Sequence, residues 1–201
     1  MEVQFTAITR GMEMLLAQLY YWARRVTEQR NDPGDGETAG RMLGLATENL
    51  ERFVTTLLDC FRPMALVPQP TSVSQLVAAV ARCARDDQRA ASVIVGGGAD
   101  ETVLADEGQL QRVWPVVLRR LVARTTPGAL HVMVVPAARE GRRGVEISVR
   151  RNGAVRTPEA PDVALDLEWE LARRIVDLHA GELTEQGDPR ERIVVVFLPT
   201  R

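Results

Sequence analysis

Lysine is absent from this sequence, and all 25 basic residues among its 201 are arginine. Any mechanism that needs a lysine amine is therefore excluded, including a GxxxxGK[ST] phosphate loop, a Schiff base and a lysine general base. The arginines are scattered among 27 acidic residues, so they form no basic stripe of the kind that follows a nucleic-acid backbone. We expect no nucleic-acid partner.

Long apolar runs are also missing, since no stretch reaches the roughly 18 residues that a membrane-spanning helix needs. The start of the sequence, MEVQFTAITR, lacks the basic, apolar and small-residue regions of a signal peptide. These absences predict a cytoplasmic chain without membrane contact. Cys60 and Cys83 lie on predicted apolar helical faces, which favours reduced, buried thiols over a disulfide or a metal site. We expect no cofactor and no metal.

Apolar residues recur at spacings of three and four in two stretches, which predicts two helices of a bundle. The first, over residues 2–29, carries Ile8, Met12, Leu15, Leu19, Trp22 and Val26. The second, over residues 42–63, carries Leu43, Ala46, Leu50, Phe53, Leu57 and Cys60, with Val54, Leu58 and Phe61 as a second row. A face this broad suits a bundle core better than a narrow two-stranded seam.

The polar connection NDPGDGET, over residues 31–38, predicts that these helices form an antiparallel hairpin. Such a hairpin cannot cover its own apolar faces, and pairing two copies into a four-helix bundle would bury them. The sequence thus predicts a homodimer. The residues expected at the dimer contact are Ile8, Met12, Leu15, Leu19, Leu50, Phe53 and Leu57.

Three prolines, Pro63, Pro68 and Pro70, end the second helix and begin a stiff linker. We therefore divide the chain into a hairpin domain, residues 1–66, and a second domain, residues 67–201. In the second domain, Ser72 with Gln75 and Asp106 with Gln109 are capping patterns that open helices. The predicted helices run over about 72–85, 106–124 and 165–180, the last capped by Gly181.

Strands are predicted over residues 91–95, 102–105, 130–135, 145–149 and 193–198, with REGRRG as a hairpin loop between the third and fourth. Helices on one side of a mostly antiparallel sheet make this domain an α/β sandwich. The predicted fold class of the whole chain is α+β, with a helical hairpin followed by that sandwich.

Four segments in this order resemble the core of bacterial sensor histidine kinases. They are LERFVTTLLDCFRPMALVPQPTSVSQLVAAVA at 50–81, LADEGQLQRVW at 104–114, RRIVDLHAGEL at 173–183 and VVVFLP at 194–199. The chain is similar also to histidine phosphotransfer proteins built on the same core. The resemblance implies a dimeric hairpin and a GHKL-type ATPase domain, which in the family holds ATP and magnesium.

The family's functional positions fall on residues of different chemistry in this chain. Its phosphorylated histidine falls on Arg10, its magnesium-binding asparagines near Val116 and Arg120, and its adenine-binding aspartate on Arg151, where only Asn152 and Gly153 remain of the first glycine box. Its second glycine box falls on residues 166–169, DLEW, which include Asp166 and Glu168. The resemblance therefore implies a degenerate ATPase domain.

Each replacement has a physical consequence for nucleotide binding. A guanidinium at Arg151 has no acceptor for the adenine amino group, and the cation of Arg120 repels magnesium. Carboxylates at Asp166 and Glu168 would meet phosphates where glycine amides are needed. A like-charge pair at about 4 Å costs roughly 4 kcal/mol at an effective dielectric near 20. We expect no ATP binding and no enzyme activity.

The sequence thus suggests an inactive pseudo-histidine-kinase that binds other proteins in two-component-type signalling. Two alternatives remain: a phosphotransferase that relays to a response regulator, and a nucleotide-binding protein in which Arg120 clamps phosphate. The resemblance implies a response-regulator receiver domain, or another signalling protein, as partner. The expected docking residues on the first helix are Arg10, Glu13, Met14 and Ala17.

Overall fold

A computed structural model of the chain describes residues 2–28, 33–86, 92–98, 101–122, 128–152, 163–187 and 193–200. The helices are α1 Glu2–Glu28, α2 Pro33–Phe61, α3 Val73–Asp86, α4 Glu107–Gln111, α5 Val113–Val122 and α6 Val163–Leu178. The strands are β1 Gln69–Ser72, β2 Val93–Gly97, β3 Thr102–Ala105, β4 Leu130–Arg139, β5 Arg142–Arg151, β6 Glu182–Gln186 and β7 Ile193–Pro199. The α+β class is confirmed. Within these ranges, no helix combines the length and the apolar character that crossing a membrane requires.

The chain forms two compact units. One contains Met1–Pro63 together with Asp162–Glu168, and the other contains Met64–Pro161 together with Trp169–Arg201. The hairpin unit therefore includes a short segment from late in the sequence, the beginning of α6. The sequence pattern assigned that segment to the second domain.

The hairpin consists of α1 and α2, and α2 begins earlier than the sequence pattern indicated. Residues 31–38 were predicted as a polar connection, but α2 starts at Pro33 and includes Gly34 and Gly36. Proline is tolerated in the first helical turn, because its missing N–H would have no partner there and its fixed φ suits the helix. Pro33 thus starts the helix that it was expected to precede.

The core of the hairpin unit is built around Leu15 of α1 and Phe53 of α2, both buried. Ile8, Leu50, Leu57 and Leu167 pack against them. Fully burying side chains of this size contributes about 1.5–3 kcal/mol each. Much of the predicted apolar stripe is therefore used inside one chain.

The second unit is organised by a five-stranded sheet in the order β2-β4-β5-β7-β6, in which only the β2–β4 pair is parallel. One face is almost wholly apolar, with Val132, Val134, Ile147, Val149, Val194 and Val196 buried. The β4–β5 connection is tighter than the predicted REGRRG loop. Glu140 and Gly141 both have positive φ, 50° and 77°, as in a two-residue type I′ turn, and the flanking arginines are paired in the strands.

Three further features differ from the sequence prediction. The helix expected over 106–124 is two helices, because Pro115 has no N–H to continue the ladder and the Arg112 N–H bonds to the Gln109 carbonyl at 3.1 Å. The polar strand β6 was not predicted. Nor was β1, which lies in the proline-rich linker and pairs with β3 in a separate two-stranded sheet.

The end of α6 also differs in detail from the prediction of a glycine cap at Gly181. The residue with positive φ is Ala180, at 54°. The Gly181 N–H bonds to the Val176 carbonyl at 3.0 Å. A side chain at Gly181 would collide with the carbonyl oxygen of Phe197. Gly181 is therefore needed for close packing against β7 rather than for a left-handed backbone.

Asp106 joins the linker, the start of α4 and the end of α6 through its side chain and its backbone. Its carboxylate accepts the N–H groups of Val67 at 3.0 Å and Gln109 at 3.1 Å. Its own N–H donates to His179 Nε2 at 2.9 Å. Because Nε2 accepts, the other ring nitrogen carries the proton and donates to the Ile175 carbonyl at 2.7 Å. His179 thus has a structural role, since its ring connects the end of α6 to the residue before α4.

The backbone hydrogen bond from Val67 is the largest cause that lowers the pKa of Asp106 from 3.8 in the free side chain. The ionised carboxylate therefore stabilises the fold above about pH 3.8, and this contribution is lost as the pH falls through the folded pKa. We expect Asp106→Ala to lower the free energy of unfolding by about 1 kcal/mol at pH 7, and by less at about pH 3. Urea unfolding at both pH values measures this, and an equal loss at both would contradict it. Asp106→Asn, which keeps the shape and removes the charge, is the control.

Candidate functional site

The predicted magnesium positions lie on α5. Val116 is buried, and Arg120 is engaged by two neighbours. The Arg120 Nε lies 3.4 Å from Glu185 Oε2, and its guanidinium carbon lies 5.3 Å from the centre of the Trp169 ring. These contacts place a cation between a carboxylate and an aromatic face, an arrangement that suits a guanidinium. A magnesium ion needs oxygen ligands instead, so these residues do not fit that metal.

The predicted adenine position, Arg151, is the last residue of β5 and is buried. It follows Val149 and Ile147 at a spacing of two, so it points to the apolar side of the sheet. A guanidinium there offers donors only and cannot accept a hydrogen bond from adenine. The residue therefore does not fit the base that the family binds at this point.

Asn152, which the resemblance assigned to the first glycine box, lies at the surface. Its N–H donates to the Ala129 carbonyl at 2.9 Å, and its side-chain nitrogen lies 2.9 Å from His131 Nε2. The side chain is thus engaged by β4. Gly153, also predicted to belong to that box, lies outside the described residues.

Asp166 and Glu168 belong to the hairpin unit. Asp166 is exposed, whereas the Glu168 side chain is buried with Oε1 3.2 Å from Arg52 Nε. Leu167, between them, packs against the Leu15 and Phe53 core. Removing one partner of a buried carboxylate–guanidinium pair is strongly destabilising, because it leaves the other charge unpaired. This contact gives Glu168, predicted to lie in the second glycine box, a structural role in the hairpin unit.

Within the parts of the chain that the structure describes, no group of three or more histidine, cysteine, aspartate or glutamate side chains is arranged to hold a metal ion. Cys60 and Cys83 are not joined in a disulfide, and both are half-buried rather than buried as the sequence pattern predicted.

The predicted dimer residues divide into two groups. Leu15 and Phe53 lie inside the single hairpin, with Ile8, Leu50 and Leu57 against them, and Leu19 is half-buried. Met12 is exposed and continues at a spacing of four to Leu16 and Tyr20. On α2, the row Val54, Leu58 and Phe61 is exposed as well. Exposures in these two rows range from 38% to 72%.

The two exposed rows lie on the same side of the hairpin. On α1, the row includes Leu16, one residue after the buried Leu15, and on α2 it includes Val54, one residue after the buried Phe53. Successive helical residues are separated by about 100°, and antiparallel helices wind in opposite senses when viewed from one end. The residue after Leu15 on α1 and the residue after Phe53 on α2 therefore point toward the same face of the hairpin. That face, defined here as the Met12–Phe61 face, is apolar across both helices.

The predicted docking residues lie on the other side of the α1 core. Glu13 and Ala17 are exposed and Met14 is half-buried, while the Arg10 side chain lies outside the described ones. Their row continues at helical spacing to Tyr21 and Arg25, which the sequence interpretation did not include. Arg25 lies 5.7 Å from the centre of the Tyr21 ring and donates from Nε to the Tyr21 hydroxyl at 3.3 Å. A spacing of four from Ala17 would have identified both.

No family model matches the chain, and comparison with curated proteins gives no match. Among solved structures, it is similar to histidine kinase AdeS from Acinetobacter baumannii, with 12% identity, a TM-score of 0.63 and coverage of 94% of this chain and 96% of that one. It is similar to histidine kinase ThkA in complex with the response regulator TrrA, at 15% identity, TM-score 0.71 and coverage of 98% and 61%. It is similar to a mycobacterial sensor histidine kinase, MprB, at 19% identity, TM-score 0.51 and coverage of 67% and 99%. The chain therefore has the fold of a histidine kinase core with an ATPase-like domain.

Proposed function

We propose that this protein is a catalytically inactive pseudo-histidine-kinase, a dimeric binding module in two-component-type signalling. The observation that carries the proposal is the environment of Arg120. Where the resemblance places a magnesium-binding asparagine, the chain has a guanidinium engaged by Glu185 and Trp169. An ion pair and a cation–π contact give this residue a structural role that an asparagine could not fill.

The other positions support the same reading. Arg151 is buried at the adenine position, and Glu168 is paired with Arg52 at the position of the second glycine box. The first helix contains no histidine to accept a phosphoryl group. With the adenine acceptor, the magnesium ligands and the phosphate-binding glycines all replaced, signalling by this chain depends on contacts rather than on chemistry.

The Met12–Phe61 face supports a homodimer through the hairpin. An apolar surface that runs over two helices is the kind of patch that marks a protein contact. A second copy offers the same face, and two hairpins joined there form a four-helix bundle. The exposed rows are better candidates for this contact than Leu15 and Phe53, which their own chain already buries.

The row of Arg10, Met14, Ala17, Tyr21 and Arg25 supports a docking surface for a receiver domain on the other side of α1. Arginine and tyrosine are the side chains that most often anchor protein contacts. The Tyr21–Arg25 contact fixes the geometry of one such pair before binding. Guanidinium groups also fit the acidic pocket that the resemblance implies for a receiver domain.

The inactive state predicts that titration calorimetry with ATP, with and without magnesium, gives no binding. A dissociation constant below about 100 μM, or more than roughly 5.5 kcal/mol of binding, would overturn it. Incubation with a phosphorylated receiver domain should likewise leave the chain unlabelled. Acid-labile phosphate on the chain would instead support the phosphotransferase alternative.

The dimer predicts that Leu16→Glu with Leu58→Glu, made in a full chain that also carries Val95→Pro, reduces the mass from two copies to one. Each glutamate would bury an unpaired charge in the contact. Val95→Pro is included to prevent any association through strand β2, and sedimentation velocity measures the mass. Thr55→Glu, on an exposed position of α2, adds the same charge away from the exposed row and should leave the mass unchanged. A dimer that survives the paired substitution places the contact elsewhere.

The docking surface predicts that Arg10→Glu with Ala17→Asp weakens binding to a receiver domain more than tenfold, about 1.4 kcal/mol. Interferometry with purified receiver domains measures this, and Thr55→Glu is again the charge-matched control. Melting temperature should stay nearly unchanged because Ala17 is exposed. Unaltered affinity would remove this row as the interface, and failure of every receiver domain to bind the original chain would remove the partner class.

A further inference from the structure

Strand β2 forms one edge of the five-stranded sheet, and across the described ranges no strand pairs with its outer side. The Ser92 carbonyl accepts the Leu130 N–H at 2.9 Å, so Ser92 points toward β4. Alternate residues of a strand direct their backbone groups the same way. Val93 and Val95 therefore direct their N–H and C=O groups to the open edge, whereas Gly97, at a φ of 74°, departs from the regular strand geometry.

The side chains of this edge are apolar and exposed. Ile94 and Val95 are 49% and 51% exposed, and residues 92–98, SVIVGGG, contain no charge and no proline. Natural edge strands usually carry charged residues or proline, because these prevent pairing with other chains. The opposite edge strand, β6, carries charged residues, and its Glu182 is paired with Arg139 and its Glu185 with Arg120.

We propose that β2 pairs with β2 of a second copy, antiparallel and about a two-fold axis through Val95. In this register Val95 faces Val95, and because both point outward they exchange two hydrogen bonds. Val93 lies opposite Gly97 and Ile94 opposite Gly96, a glycine over which the Met133 side chain of the same chain lies. The contact is isologous and closes after two copies.

The chemistry of the edge favours a second copy over a different partner. Two copies of this uncharged strand bring no like charges face to face. A charged peptide would find no opposite charge along residues 92–98.

Val95→Pro tests this contact in the full chain. The Val95 N–H points outward, so proline removes a donor of the proposed contact without removing a bond to β4. Val95→Lys keeps every backbone donor and sets two like charges opposite each other. Gln186→Lys, exposed on β6, is the charge-matched control. Melting curves identify any variant that does not fold.

Sedimentation velocity at protein concentrations up to about 100 μM distinguishes this contact from the hairpin dimer. We expect the unaltered chain and Gln186→Lys to exceed two copies, since each chain then offers two contacts. Val95→Pro or Val95→Lys should leave two copies, joined through the hairpin. Leu16→Glu with Leu58→Glu should also leave two copies, joined through β2. A chain that carries both Leu16→Glu with Leu58→Glu and a Val95 substitution should be a single copy. A single copy for Leu16→Glu with Leu58→Glu would overturn the β2 contact, whereas a single copy for Val95→Pro would overturn the hairpin dimer alone.

Discussion

Pairs of guanidinium and carboxylate groups are the polar contacts on which both units depend. In the hairpin unit, Arg52 neutralises the buried carboxylate of Glu168. In the second unit, Arg120 pairs with Glu185, and Arg139 bridges Glu146 and Glu182 at 2.8 and 2.6 Å while lying over the Phe197 ring. The hydrogen bonds of the two glutamates raise the pKa of Arg139. Since the chain has no lysine, every such contact uses a planar group that can bond and stack at once.

The sequence predicted those parts of the fold that rest on local patterns. Apolar spacing identified α1 and α2, and the Ser72–Gln75 capping box is confirmed by reciprocal bonds of 3.1 and 3.3 Å. Strands β1 and β6 were missed because each is short and largely polar, and strands of this kind become recognisable only through the partner they pair with. The break at Arg112 was missed although the sequence contains Pro115. The capping pattern before the break and the apolar spacing after the break both indicated one helix.

For the candidate site, motif order suggested which positions to consider but not what those side chains contact. Arg120 and Glu185 are 65 residues apart, and no local pattern links such a pair. Periodicity also could not divide the apolar stripe of the hairpin. It treats Leu15 and Leu16 as neighbours, whereas one is buried in its own chain and the other is exposed. That division depends on Leu167, which reaches the hairpin core from late in the sequence.

The contacts of Arg120 also affect how this position can change over evolutionary time. Its guanidinium has an ion pair with Glu185 and lies against the indole of Trp169. Replacement by asparagine would leave the carboxylate without that guanidinium and uncover the ring. A substitution at Arg120 therefore affects three side chains at once, and we expect Arg120, Glu185 and Trp169 to change together among relatives of this chain.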